Sequence, residues 1–442
     1  MEETAVVAQE SSSGSAVRRS PASLHNRVRD VAAAAAGNAL EWFDFTVYGY
    51  FAGTIAKVFF PAAGSLGSML LATATFGVGF VVRPLGSVVL GLYADRVGRK
   101  AALTLSIWLM TFGTAAIAFA PPFAVAGWLG AVILVLARLV QGFAASGEYG
   151  SAVAFLAEKA PAHRRNFVVS LQMSSTMLII VVAGVVGTVL TTTLNAQQME
   201  SWGWRVPFLL GLLIGPVGYY IRRNVEESET FVAKAGLTVR QVLARLFGQH
   251  LLDLAAAIGI TVISTVAFYV NLVYMPTFAV KQLGLPALAP FISTAVAGVV
   301  VASMAPLTGY LADTRVKPVW LFLGAALAHA ALVLPLYRWL LVSPSLHNLI
   351  VMQVLLAIPM GAMFGLVPAI SAGIFPTEIR ATALSIAYNF PTTVFGGFSP
   401  LIVTYLIATT HNGAAPAYYI MAATFISLIC MTSFAKKRNA VG

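Results

Sequence analysis

Asn38-Ala-Leu-Glu41-Trp-Phe-Asp44-Phe-Thr-Val-Tyr48 lies inside an apolar run from Val31 to Phe60. A carboxylate at the centre of a bilayer helix costs roughly 2.5–3.5 kcal/mol. A chain that keeps two of them there has a use for them. At about 100° per residue, Asn38, Glu41, Asp44, Phe45 and Tyr48 fall within an arc of about 120°. The polar groups therefore share a face, and that face must look into protein or water rather than lipid.

The rest of the chain has the same character. It has 442 residues, is 59% hydrophobic and only 10% charged, and has a mean hydropathy of +0.84. A soluble domain carries about 25% charge, so this composition is that of a membrane protein with many spans. The single cysteine, Cys430, excludes an internal disulfide and argues against a thiolate metal site. No cofactor or resident metal is expected. The first 30 residues are rich in Ser, Ala and Glu, then carry Arg18, Arg19, Arg27 and Arg29. With no short apolar core near Met1, they read as a disordered cytoplasmic tail rather than a cleaved signal.

A helix needs about 20 apolar residues to cross a bilayer. Twelve segments qualify: 31–60, 66–94, 101–120, 126–157, 167–194, 203–221, 251–280, 287–312, 318–341, 346–374, 381–408 and 414–435. These are spans 1 to 12 below. Pro61, Pro121, Pro122, Pro161, Pro286, Pro318, Pro344 and Pro376 punctuate them. Of the 27 Lys and Arg, only Lys57, Arg205, Lys281 and Arg338 fall at the outer ends, and only Arg83 and Arg138 lie within spans. The others crowd the tails and the even-to-odd loops, which places both termini in the cytoplasm. The net charge of +11 is thereby explained without nucleic acid.

The longest polar stretch, Arg222 to His250, divides the chain into halves, and its Glu226, Glu227, Glu229, Arg240 and Arg245 are those of a short surface helix. The expected organisation is a tail (1–30), a six-helix bundle (31–221), a cytoplasmic central loop (222–250), a second bundle (251–435) and a short tail (436–442). The halves repeat weakly. Gly91 and Asp95 after span 2 match Gly309 and Asp313 after span 8, and Glu158 after span 4 matches Glu378 after span 10. Matching loops at matching places indicate a duplicated six-helix unit.

The first loop reads Gly91-Leu-Tyr-Ala-Asp95-Arg96-Val-Gly98-Arg99-Lys100. Gly91 admits a neighbouring helix, Gly98 permits a tight turn, and Asp95 can accept from a helix N-terminus and pair with Arg99. In this position the pattern resembles the loop 2–3 signature of the major facilitator superfamily. That resemblance implies two six-helix halves held by a cytoplasmic latch of Gly91, Asp95, Arg96, Gly98, Arg99, Glu158, Asp313, Glu378 and Arg380. The second copy lacks the Gly-Arg-Lys ending, which makes Asp313 the weaker candidate. Span 4 carries Arg138-Leu-Val-Gln141-Gly142-Phe-Ala-Ala-Ser-Gly147-Glu148-Tyr149, a second superfamily-like motif for which the resemblance implies a role in proton transfer.

Within the superfamily the chain resembles the metabolite:proton symporters. The residues that carry this are Gly37-Asn38 with Glu41 to Phe45, Phe59-Phe60-Pro61, Arg83-Pro84-Leu-Gly86, Gln141-Gly142 and Gly147-Glu148-Tyr149. They continue with Trp202-Gly-Trp-Arg205-Val-Pro207-Phe208, Tyr274-Met-Pro276 and Phe375-Pro376-Thr with Arg380. Members carry citrate and related tricarboxylates, 2-oxoglutarate, dicarboxylates, shikimate, or proline and betaine. The resemblance implies a proton-coupled symporter of a small organic acid in the bacterial cytoplasmic membrane, acting as a monomer. The alternatives are an osmolyte or shikimate carrier in the same fold and a substrate sensor that does not transport. The long C-terminal coiled coil of the proline/betaine branch is lacking before Gly442. No His-Glu-x-x-His, Cys-x-x-Cys, phosphate loop or nucleophile elbow points to an enzyme.

The ionisable groups deep in the spans are Glu41, Asp44, Arg83, Arg138 and Glu148, all in the first half; in the second, His329 is the one deep candidate. Proton coupling is therefore expected in the first half. By depth Arg83 is the natural counter-charge of Asp44, since Arg138 lies roughly 9 Å farther outward; the family resemblance favours Arg138, and both stay open. A carboxylate beside a cation stays ionised, and one isolated in an apolar site takes up a proton, so a pair that opens and closes would move protons. Static pairs joining spans 1, 2 and 4 are the alternative. An anionic substrate at mid-membrane needs a cation, and Arg138 or Arg83 offers a fork for a carboxylate. Asn38, Tyr48, Gln141, Gln172, Tyr269, Asn271, Tyr274, Gln353, Tyr388 and Asn389 are the further substrate-binding candidates.

Overall fold

The computed structural model describes residues 42–97, 99–146, 148–212 and 239–441. Among these, all regular structure is helical. Among the described residues, nine stretches are long and apolar enough to cross a bilayer: Pro61–Leu90, Trp128–Ala145, Ala162–Thr193, Leu251–Val273, Leu288–Thr314, Pro318–Val342, Leu346–Ala372, Arg380–Thr410 and Ala415–Ala435. They coincide with spans 2, 4, 5 and 7 to 12. Thr104–Ala118 is a shorter apolar helix in span 3. The described parts of spans 1 and 6 are helical over 42–50 with Ala52–Phe59 and over 206–212. A helix at Val239–Gln249 precedes span 7. It packs Val242 and Leu246 against Leu254 at the base of that span and Phe375, Ile379 and Ala383 around the start of span 11.

Several spans are not the uniform helices that hydropathy predicts. Span 2 breaks at Val82, and a new helix, Arg83–Val97, begins with Pro84 in its first turn. Span 7 runs as Leu251–Phe268, a π turn at Tyr269–Val273, and Met275–Leu283. Span 11 runs as Arg380–Pro391, a π turn at Thr392–Gly397, and Ser399–Thr410. Each π turn is followed by a helix with proline in its first turn, Pro276 and Pro400. Proline has no N–H to return to the preceding turn. The wider turn absorbs one residue and restores a partner: the Tyr274 N–H donates to the Tyr269 carbonyl at 2.8 Å. A hydropathy window cannot register a single inserted residue, so these turns are invisible to it.

Of the nine long spans, 7 and 10 are the most buried and 9 and 12 the most exposed; the described part of span 1 is more buried still, with only Gly53, Thr54 and Lys57 of residues 42–59 not buried. Span 5 against span 8 is the most extensive helix pair. Spans 2 and 4 meet span 11, and span 1 meets span 7, where a Cβ on Gly49 would stand 2.2 Å from the Val273 side chain. The outer surface carries Trp108, Phe112, Trp128, Leu136, Trp320 and Leu327 exposed, as helices facing hydrocarbon require.

Candidate functional site

The site begins on span 1 with Asp44, which is only 1% exposed. Its Oδ2 accepts hydrogen bonds from Thr114 Oγ1 on span 3 and from Gln141 Nε2 on span 4, the latter at 3.0 Å. Gln141 Oε1 in turn accepts from Arg138 Nη1 at 2.9 Å, one helical turn away. Arg138 Nη2 also lies 3.5 Å from the Asp44 carbonyl oxygen. Among the described residues, no ion pair within 4.0 Å joins the Asp44 carboxylate to Arg138. The Gln141 amide bridges them, donating to the acid and accepting from the cation. Asp44 Oδ1 has no hydrogen-bond partner. It faces Gly211 on span 6, where a Cβ would stand 2.6 Å from it.

Aromatic rings stand over both cations. The Arg138 guanidinium lies 3.8 Å from the Tyr48 ring centre and 5.2 Å from that of Phe45. Arg83 lies 4.4 Å from the Phe80 ring and 4.9 Å from Phe45. Phe45 thus stands near both. Desolvating a charge costs several kcal/mol unless bonded and polar or π partners replace water. Of the two arginines offered by the sequence as partners for Asp44, Arg138 is the one on its hydrogen-bonded network.

A cavity of about 40 Å³ lies between the halves. Its walls are Trp42 on span 1, Tyr149 on span 4, Met173, Thr176 and Met177 on span 5, and Thr261, Ser264, Thr265, Phe268 and Tyr269 on span 7. Phe364, Val367 and Pro368 on span 10 and Tyr388 on span 11 close it. Tyr149 and Tyr388 stack across the halves with ring centres 3.6 Å apart. Among the described residues the walls contain no charged side chain. Ligand pockets for small molecules span about 300–1,000 Å³, so admitting a substrate requires the halves to part.

Of the substrate-binding candidates, Tyr269 and Tyr388 line this cavity. Tyr274 lines a smaller space of about 10 Å³ and its Oη lies 3.0 Å from Thr404 Oγ1. Tyr48 donates to the Ala72 carbonyl at 3.2 Å. Asn271 belongs to a knot in the second half: its Oδ1 accepts from Tyr337 Oη at 3.0 Å and its carbonyl accepts from Gln353 Nε2 at 2.7 Å. Asn389 Nδ2 donates to the Ser146 carbonyl at 2.9 Å and so ties span 11 to span 4. Gln172 is 5% exposed with neither amide atom bonded. Arg83, Arg138 and Gln141 belong to the charged site and not to the cavity wall. Asn38 and Glu41 lie outside the described residues, as does the Glu148 side chain. Sequence reasoning missed Trp42, Thr176 and the hydroxyl row Thr261, Ser264 and Thr265. The spacing of that row on one face of span 7 is the signal that could have found it.

On the latch, Asp313 at the end of span 8 accepts three bonds from the start of span 5. Its Oδ1 takes the Asn166 N–H at 3.0 Å and Asn166 Nδ2 at 2.7 Å, and its Oδ2 takes the Phe167 N–H at 2.9 Å. An acid here meets unpaired N–H groups and the positive end of the helix dipole. The contact needs close approach, and a Cβ on Gly309 would stand 2.8 Å from the Asn166 carbonyl. The copy without the Gly-Arg-Lys ending therefore engages the opposite half. Arg380 Nε donates to the Phe375 carbonyl at 3.2 Å within its own loop, and Glu378 is exposed. Gly98 and the side chains of Asp95, Arg96, Arg99 and Glu158 lie outside the described residues; Gly91 falls in the helix Arg83–Val97.

The fold and the buried acid–cation network define a multi-pass membrane transporter. Residues 34–346 match the model of the Major Facilitator Superfamily. The chain is 34% identical over 440 residues to the citrate-proton symporter of Klebsiella pneumoniae, covering 99% of this chain and 98% of that one. It is 32% identical over 422 residues to the proline/betaine transporter of Salmonella typhimurium, covering 92% and 83%. Among solved structures it superposes on the xylose transporter XylE of E. coli in a partially occluded inward-open conformation, with a TM-score of 0.73 and 16% identity, covering 92% and 97%. The chain belongs to the major facilitator superfamily.

Proposed function

We propose that this protein is a proton-coupled symporter of the bacterial inner membrane that imports a small organic acid, of the tri- or dicarboxylate kind, by alternating access. The observation that carries the proton-coupling reading is the chain Thr114–Asp44–Gln141–Arg138. Asp44 Oδ2 is held by two donors and Oδ1 by none, so Oδ1 is the atom that takes the proton. With the proton on, the acid is neutral and Arg138 keeps its charge on Gln141 and the Tyr48 ring. With it off, the carboxylate regains the full field of Arg138 through the amide. Proton binding thus changes the balance of forces within one bundle.

The test is Asp44→Asn in proteoliposomes. Accumulation driven by an acid-outside pH gradient should be lost, while exchange of labelled for unlabelled substrate continues. Wild-type accumulation by this variant would sink the reading.

The organic-acid substrate is supported by the citrate-proton symporter that matches almost the whole chain. A second reading, a zwitterionic osmolyte, is favoured by the cavity walls. Trp42, Tyr149, Phe268, Tyr269, Phe364 and Tyr388 with four hydroxyl side chains suit an ammonium group better than a trianion. Uptake of labelled citrate, 2-oxoglutarate, shikimate, proline and glycine betaine, each with and without the pH gradient, separates the two.

A further inference from the structure

The Asp44 network and the cavity share no side chain, and two shells of aromatic rings separate them. Phe45, next to Asp44, has its ring 4.9 Å from Phe80. Phe80, fully buried, is 5.5 Å from Tyr269 in an edge-on arrangement. Tyr269 is both a wall of the cavity and the first residue of the π turn in span 7. Phe80 also meets the other π turn. Its carbonyl accepts from Thr393 Oγ1 at 2.9 Å, and a Cβ on Gly397 would stand 2.5 Å from its ring. The Arg83 guanidinium covers the same ring at 4.4 Å. One side chain of the first half therefore touches a cation, the neighbour of the proton-binding acid, and the two irregular turns at which spans 7 and 11 of the second half depart from α-helix.

We propose that Phe80 is the positioning residue through which the charge state of the Asp44 site sets the geometry of the substrate cavity. This rests on the reading of the protein as a proton-coupled symporter. The physical basis is that the cations Arg138 and Arg83 both lie against the Phe45–Phe80 rings, and a cation holds a ring face by electrostatic attraction. Neutralising Asp44 alters the field on those cations and so on the rings. A packed aromatic column shifts as a unit, because the interior has no free volume to absorb the displacement. The two π turns it leans on are the places where spans 7 and 11 can change turn without breaking. Among the described residues, the charged or titratable groups facing this column are Asp44, Arg138 and Tyr48 near Phe45, Arg83 near Phe80, and Tyr269 at the cavity.

The test uses the full chain in a Cys430→Ser background with Thr265→Cys as a reporter in the cavity wall. The rate of maleimide labelling, divided at each pH by the rate for free cysteine so that the thiol's own ionisation cancels, is followed from acid to alkaline pH, with no substrate present. With Phe80 in place the rate should change with pH, and the change should vanish in Asp44→Asn. Phe80→Leu and Phe80→Met, which keep apolar volume but have no ring, should flatten the response, and Phe80→Tyr should retain it. Gly397→Ala, which presses on the ring from the second half, should flatten it too. In proteoliposomes offered labelled citrate and labelled glycine betaine, Phe80→Leu should lower pH-driven accumulation of the transported compound about tenfold and leave exchange within about twofold. A pH response that survives Phe80→Leu overturns the proposal whichever compound the wild type carries. Equal loss of exchange and accumulation in Phe80→Leu, with Gly397→Ala unaffected, overturns it as well. Failure of the wild type to accumulate any compound falls on the symporter reading, while the labelling result still decides the role of Phe80.

Discussion

Asp44 holds its two oxygens in unlike surroundings, and most of the chemistry follows from that asymmetry. Oδ2 is anchored by Thr114 and Gln141, and Oδ1 looks across to the bare backbone of Gly211. Gln141 serves as an adaptor because an amide both donates and accepts, so it joins the Asp44 carboxylate to a cation with which it makes no ion pair. Gln172 presents the opposite case. Its amide is buried with no bond, a state that costs roughly 1–3 kcal/mol. Gln172→Met should therefore raise the thermal midpoint of the purified protein by a few degrees. If the amide meets substrate when the halves part, the same variant should weaken apparent substrate affinity severalfold. A lower midpoint in a melting experiment would show that Gln172 is already satisfied.

At the scale of elements, spans 7 and 11 differ from their neighbours by carrying π turns before a proline, and they pack against spans 1 and 2 at mid-chain. Span 5 is held differently, by a carboxylate on its first N–H groups. Three bonds from Asp313, each worth about 1.5–3 kcal/mol for a charged acceptor, tie the halves at one end of the bundle. Asp313→Asn keeps the shape but loses the charge that the helix dipole favours, and its NH2 group faces a donor where a carboxylate oxygen accepted, at a cost of about 1–3 kcal/mol. Asp313→Ala loses all three bonds. Thiol labelling of a cysteine placed at Ser170, buried beside Gly309, in the Cys430→Ser background should be faster in the first variant and faster still, severalfold over wild type, in the second. Equal labelling in wild type and Asp313→Ala would show that the latch does not limit opening at this end.

For the whole molecule, a cavity of about 40 Å³ is too small to hold a substrate, so transport requires a relative movement of the halves. Contacts between them occur at Asp313–Asn166, at Tyr149–Tyr388 and Asn389–Ser146, and at the ring of Phe291 against Tyr50 and Phe51. A short thiol cross-link between Asn166→Cys and Asp313→Cys, in the Cys430→Ser background, should stop uptake, and a cleavable linker should restore it on reduction. Uptake that continues through a complete cross-link would exclude separation of the halves at this point.

The apolar spans, the two buried arginines and the costly acid of span 1 were legible in the amino-acid order. Hydropathy and Lys/Arg placement are local properties that the bilayer reads directly. The duplicated loops also identified Asp313, although not that its partner is the start of span 5. The partner of Asp44 and the walls of the cavity were decided only in three dimensions. Depth favoured Arg83 and the family resemblance Arg138; the hydrogen-bonded link to Arg138 runs through Gln141, which stands 97 residues from Asp44. The π turns likewise came from the packing of Pro276 and Pro400 within their spans. Periodicity along one helix reports which residues share a face. It does not report which helix that face meets, because contacts across a bundle depend on tilt, close approach and a single residue of register, none of which is written in any one span.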